Sequence, residues 1–251
     1  MSRHRAPWIL AGLTILTQIC WPLLSGSALA IATWLAVLLF FATSITHAWQ
    51  TRGPDWAGRY AVVTICFGFL IELVGIHSGL PFGHYTYSPN LGPQLASVSL
   101  LVPFAWAMMT YPALVVAQTL SRQVTHPRLA TIVIGAWALT SWDMFLDPQM
   151  VDAGYWRWTN PDPHLPGIDG IPFGNFVGWF ISSLVLFIVL TAVLPGRSGS
   201  LAVPAVMWTW TWVGGIIAFA VFLGRPSVAA VAGVAMGLVT VPFLISLRRS
   251  A

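Results

Sequence analysis

Residues 69–92 read FLIELVGIHSGLPFGHYTYSPNLG. Glu72 lies inside an apolar run, and the chain then breaks into Gly, Pro, His and Tyr. The run extends back to about residue 60 and so approaches the roughly 20 apolar residues that cross a bilayer core. Outward from it the same pattern recurs. Eight candidate spans lie near 7–24, 28–49, 60–77, 98–119, 129–147, 175–194, 201–223 and 228–247. The expected fold is an all-α polytopic integral membrane protein, one helical domain over 1–251. It has about eight transmembrane helices, N-in/C-in, with re-entrant or irregular Gly/Pro-rich outer loops.

Composition agrees with a bilayer. Of 251 residues, 57% are hydrophobic and only 7% charged, against roughly 25% charged in soluble domains. The formal net charge of +4 is carried entirely by arginine, because the chain has no lysine. That excludes a Schiff base to retinal or pyridoxal phosphate, and it excludes a P-loop lysine. The arginines stand singly or in pairs between apolar runs, so they read as orientation signals and not as a nucleic-acid surface. Cys20 and Cys66 fall inside apolar runs without a CxxC spacing and read as small buried hydrophobes. The start resembles a signal peptide, with Arg3, Arg5, an apolar stretch and Ala28-Leu29-Ala30, but that stretch is long for the role. An uncleaved first helix is expected.

An inside N-terminus puts Arg3, Arg5, Arg52, Arg59, Arg122, Arg128, Arg197, Arg248 and Arg249 on the cytoplasmic side. Only Arg157 and Arg225 fall outside, a strong positive-inside bias. The third span then runs outward with Glu72 in its outer part. The fifth also runs outward and ends SWDMFLDP, with Asp143 and Asp147 four residues apart on one helical face. Because Asp147 precedes Pro148, that helix is expected to stop there. Three of seven acids thus converge near one depth, where only Arg157 and Arg225 offer partners. A helix C-terminus, burial and a second carboxyl one turn away are conditions that suit a general acid. The alternative is that the acids pair with arginines or helix ends and only hold the bundle together.

The opening stretch has an echo. Gly79-Leu80-Pro81-Phe82-Gly83-His84-Tyr85 matches Gly170-Ile171-Pro172-Phe173-Gly174-Asn175-Phe176 in pattern, and both copies fall on the outer side. Such backbone lines a cavity at membrane depth or forms two ordinary tight turns. Between the copies, Tyr155, Trp156 and Trp158 read either as an interfacial aromatic belt or as faces for a developing cation. No HxxH or HxxxH pair exists, so His84 reads as a hydrogen-bonding partner and no metal site is expected.

These motifs resemble the CruF-type membrane carotenoid hydratases, a family that includes carotenoid 1′,2′-hydratases and bisanhydrobacterioruberin hydratases. The resemblance rests on E-x-x-G-x-x-x-G-x-P-F-G-x-Y-x-Y from Glu72 to Tyr87, on D-x-x-x-D-P with a following W-x-W, and on G-I-P-x-x-N-F-x-G-W from Gly170 to Trp179. It covers roughly residues 60–180. It implies cofactor-independent addition of water to a terminal isoprenoid double bond of an acyclic carotenoid end, giving a tertiary alcohol. The implied partners are a lipid-soluble carotenoid, water and membrane lipid, without nucleic acid. The implied location is the plasma membrane of a bacterium.

Hydration of a trisubstituted alkene begins with proton transfer to the less substituted carbon and leaves a tertiary cation, which water then captures. Asp143 or Asp147 is the expected donor, and its partner or Glu72 is expected to handle the water. Trp142, Trp156 and Tyr85 are candidate cation stabilisers. Phe82, His84, Trp158, Phe176 and Trp179 complete the expected lining. Asn175 is expected to fix a water or a carboxyl, or to act as a helix N-cap. Two other chemistries fit the same acids: a carotenoid cyclase or isomerase that excludes water, and a proton-coupled transporter.

Overall fold

A computed structural model describes residues 5–250, so Arg3 lies outside the described residues. Among these, eight α-helices form a bundle: α1 (Ala6–Cys20), α2 (Gly26–Arg52), α3 (Pro54–Ser78), α4 (Val102–Leu120), α5 (Pro127–Asp152), α6 (Phe173–Val193), α7 (Ala202–Ile217) and α8 (Pro226–Ser250). A 3-10 turn, Trp21–Leu23, continues α1, and a π-helical turn, Ala218–Phe222, continues α7. Seven of the segments are long and apolar enough to cross a membrane. The exception is α4, which carries Trp106, Thr110, Tyr111 and the prolines Pro103 and Pro112, yet is buried along almost its whole length. Helices α2, α3, α5, α7 and α8 all pack against it. A helix walled in by its neighbours need not present apolar side chains to lipid. The outer surface does so instead, with Leu16, Val62, Leu70, Ile181 and Val234 exposed, as an integral membrane protein requires.

The two ends of the bundle differ. At one end Arg52 Nη1 donates to Gln118 Oε1 at 3.1 Å and to the Arg197 carbonyl at 3.1 Å, which gathers the α2–α3, α4–α5 and α6–α7 connections. At the other, Trp21 Nε1 donates to Thr33 Oγ1, which also meets Tyr155 Oη at 3.2 Å. There Arg225 bonds Asp152 Oδ1 at 3.1 Å and the Asp169 carbonyl at 2.8 Å. This second end carries the acids and the long loops, and the positive-inside bias assigns it to the outer side.

Helix α3 shows how sequence sets the element. Pro54 opens it and Asp55 sits in its first turn, where the helix dipole favours an anion. It stops at Gly79, whose φ of 74° is left-handed and whose N–H bonds the Gly75 carbonyl.

Cys20 and Cys66 are exposed, so the expectation that they are buried fails: an apolar run in a bilayer faces lipid as well as the core. Two further expectations need correction. Helix α5 does not end at Asp147 but runs through Pro148 to Asp152. The pre-proline preference is a bias that tertiary packing overrides. The extra turn is anchored by the buried Met150 and by backbone bonds from Ala153, Gly154 and Tyr155 to the carbonyls of Gln149, Val151 and Met150. Asp147 is therefore inside the helix, and the terminal dipole acts on it less than expected. Secondly, the outer loops are not simply irregular. They hold three two-stranded antiparallel ribbons: β1 (Tyr85–Tyr87) with β4 (Trp156–Trp158), β2 (Gln94–Leu95) with β3 (Val98–Ser99), and β5 (His164–Leu165) with β6 (Ile168–Pro172). Gly170 to Pro172 of the second loop copy thus lie in a strand. Pairing satisfies backbone groups that an open loop would strand near the apolar bundle.

Candidate active site

The β1–β4 ribbon is the roof of the site. Its register sets Tyr85 opposite Trp158 and Tyr87 opposite Trp156. Side chains two apart along a strand share a face, so Y-x-Y and W-x-W both turn inward, while Thr86 and Arg157 stay exposed. The inward placement overturns the interfacial belt reading of Trp156 and Trp158.

Under the roof, Glu72 accepts three hydrogen bonds. Tyr85 Oη and Tyr87 Oη donate to its Oε2 at 2.5 and 2.6 Å, and Trp106 Nε1 donates to Oε1 at 3.1 Å. Burial, then the adjacent Glu72, pushes both tyrosine phenols well above their ordinary value, so both remain O–H donors. Gly75, one turn beyond Glu72, makes this approach possible. A Cβ there would stand 2.9 Å from Phe82 and from Tyr85 Oη.

The aspartates form a second group. Asn175 Nδ2 bridges them, donating to Asp147 Oδ2 at 2.5 Å and to Asp143 Oδ2 at 3.1 Å. Trp156 Nε1 donates to Asp147 Oδ1 at 3.1 Å. Asp143 is fully buried, and its Oδ1 has no hydrogen-bond partner among the described residues. Asn175 follows the first residues of α6, whose N-cap is Pro172; its amide serves the aspartates and not the cap. The ion pairs found among the described residues are Arg59–Asp55, His164 with Asp162 and Asp169, and Arg225–Asp152. The three buried acids take no part in them.

Both groups face one cavity of about 60 Å³, lined by Glu72, Asp147 and Asn175 together with Phe82, Tyr85, Trp156, Trp158 and Trp179. At ~10–15 Å³ per water it holds a few waters or one branched chain tip. Trp106 stacks on Trp179 with centroids 4.1 Å apart and an interplanar angle of 3°. Trp142 meets Trp179 edge-on, but it lines an adjoining groove and not the cavity. Asp143 stands behind Asp147 and Phe176 behind the wall, both buried outside the cavity lining. His84 is exposed, its ring lying over Gly79, and does not line the cavity. Tyr87 and Trp106 were missed as site residues. The Y-x-Y period was a legible signal for Tyr87; Trp106 gave none, being one aromatic among many in the apolar helices.

The two matched loops pack on each other at α6. A Cβ on Gly178 would collide with the backbone carbonyl of Pro81, which has no flexible side chain to yield. Gly178→Ala is expected to displace the Pro81–Tyr85 loop and destabilise the fold by about 1–3 kcal/mol, the usual range for overpacking. A lowered thermal midpoint in detergent, with weakened activity, would show it.

The family model for "Carotenoid biosynthesis protein" matches residues 28–242. The chain belongs to that family. Among curated proteins, the bisanhydrobacterioruberin hydratase of Haloarcula japonica is 30% identical over 133 residues, covering 51% of this chain and 43% of that protein. The chain therefore matches less than half the length of this relative. No solved structure matches. In this carotenoid biosynthesis protein, the matched range contains every cavity residue named above.

Proposed function

We propose that this carotenoid biosynthesis protein is an acid-catalysed hydratase of a terminal isoprenoid double bond on an acyclic carotenoid end. The supporting observation is the carboxyl pair: Asp147 opens onto a small aromatic cavity while Asn175 ties it to Asp143. Among the described residues the pair has no cationic partner, so it is suited to holding a proton between its members. The hydratase relative adds support, since its name describes the same reaction class.

In the proposed reaction Asp147 protonates the less substituted alkene carbon. A C–H bond forms, the π bond breaks, and a tertiary cation remains. The Asp147 carboxylate left behind is stabilised by the Trp156 and Asn175 donors. The indoles of the lining face the cation. Water adds at the cationic carbon, and the proton it sheds returns to the Asp143–Asp147 pair. Atoms and charge balance, and the acid is regenerated. Glu72, with three donors already on its two oxygens, holds the aromatic wall in place.

Supplying an acyclic-ended carotenoid to the purified protein and weighing the product tests this proposal. A gain of one water is expected. A product of unchanged mass would instead mean cyclisation or isomerisation, and unaltered substrate would remove the enzymatic reading.

A further inference from the structure

The cavity at Asp147 is far too small for a polyene, so only the tip of such a chain enters it. A second and larger space adjoins it. This groove of about 300 Å³ shares Thr33, Val37, Leu146 and Met150 with the cavity, so only these side chains stand between the two. It runs between the outer ends of α1 and α7 on one side and the outer parts of α2 and α5 on the other. Leu23, Ile19, Ile217 and Phe222 on its rim are exposed on the lipid-facing surface.

Three features of α7 shape this groove. Gly214 and Gly215 contribute no side chains to it, and Ala218 contributes only a methyl. The π-helical turn begins at Ala218 and carries Phe222 on the rim. Turns of this kind are rare and concentrate at functional sites. Finally, Trp210 Nε1 donates to Gln18 Oε1 at 2.8 Å, closing the groove between α7 and α1 on its inner side. Gly215 has its own steric reason: a Cβ there would stand 3.1 Å from the Phe145 ring.

The geometry points to this groove as the binding site for the polyene shaft of the substrate, entered sideways from the lipid between α1 and α7. The shaft lies along α7, and the acyclic tip passes the Thr33–Met150 junction to reach Asp147. This rests on the hydration chemistry proposed above for what happens at the tip, but not for the binding of the shaft. The shaft is rigid, carries only methyl branches and is wholly apolar, which suits a groove whose lining is mostly apolar.

Ala218→Trp fills the groove without touching the acid cavity. The test compares wild type and this variant, in nanodiscs, on a full-length acyclic carotenoid and on 2-methyl-2-pentene, which has the same dimethylallyl terminus but no chain to lie in the groove. Expected is at least a tenfold loss of kcat/KM on the carotenoid, about what losing contact with two or three buried methylenes gives. On the short hydrocarbon a change within about threefold is expected, which also shows that the variant is folded. Equal losses on both, or none on either, would overturn the groove assignment. Quenching of tryptophan fluorescence by the bound polyene gives a second readout, independent of turnover. Quenching in wild type that is weakened in Ala218→Trp, with hydration of neither substrate, would leave the groove standing and remove the hydratase proposal. No difference in quenching between the two proteins would overturn the groove.

Discussion

Asp147→Asn is expected to abolish hydration, with a loss of about 10²–10⁴-fold, the range assigned to a positioned general acid. The amide keeps the size of the carboxyl but only one acceptor oxygen for two donors, Trp156 at Oδ1 and Asn175 at Oδ2, so a drop in stability of about 1–3 kcal/mol is expected beside the loss of turnover. Asp143→Asn should cost less, because Asp143 reaches the cavity only through Asn175 and Asp147. The comparison separates the two aspartates, which sequence alone leaves interchangeable. Product from acyclic carotenoid, measured chromatographically per mole of folded protein, is the readout. An Asp147→Asn variant that keeps wild-type turnover would move the proton donor elsewhere.

The second large effect falls on stability. Glu72→Leu leaves the Tyr85, Tyr87 and Trp106 donors buried without an acceptor. Each such donor costs about 1–3 kcal/mol; Tyr87 is only half-buried, so the loss is expected in the lower part of the summed range of about 3–9 kcal/mol, still among the largest for a single substitution. Thermal unfolding in detergent checks it. Glu72→Gln keeps one acceptor oxygen and should lose markedly less. The same pair of variants distinguishes a wall from a reagent. If Glu72 positions the aromatics, activity follows stability across both variants. A Glu72→Gln protein with wild-type stability and no turnover would instead make Glu72 a participant in the chemistry.

The helices were legible because a bilayer demands long apolar runs, and the eight runs counted in the sequence correspond to the eight helices observed. The α4 run is the instructive one. Its tryptophan, tyrosine and prolines weaken it as a membrane segment, and only its place in the middle of the bundle explains them. The arginine pattern likewise matches the two ends of the bundle, with Arg157 and Arg225 at the end that carries the acids. The end of α5 was misread because the local cost at Pro148 is small beside the packing of the turn that follows. For the site, spacing placed Asp143 and Asp147 on one face, but it could not show which one reaches the cavity. That depends on Asn175, which enters from α6 and bridges them. Nor does spacing pair Y-x-Y with W-x-W, because Tyr85 and Trp158 meet only through a ribbon between distant loops. His84 shows the converse. It sits between the inward Phe82 and Tyr85, yet its own ring lies outside, over Gly79.

The central claim is that a buried carboxyl delivers a proton to an alkene carbon and that water then captures the cation. Isotope labelling of the product tests it most directly. Wild-type protein is given an acyclic-ended carotenoid in deuterated water enriched in heavy oxygen, and the product is analysed by mass spectrometry and NMR. The account predicts one non-exchangeable deuterium on the carbon next to the new carbinol and one heavy oxygen in its hydroxyl group. Deuterium without oxygen, or neither label in the product, would contradict it.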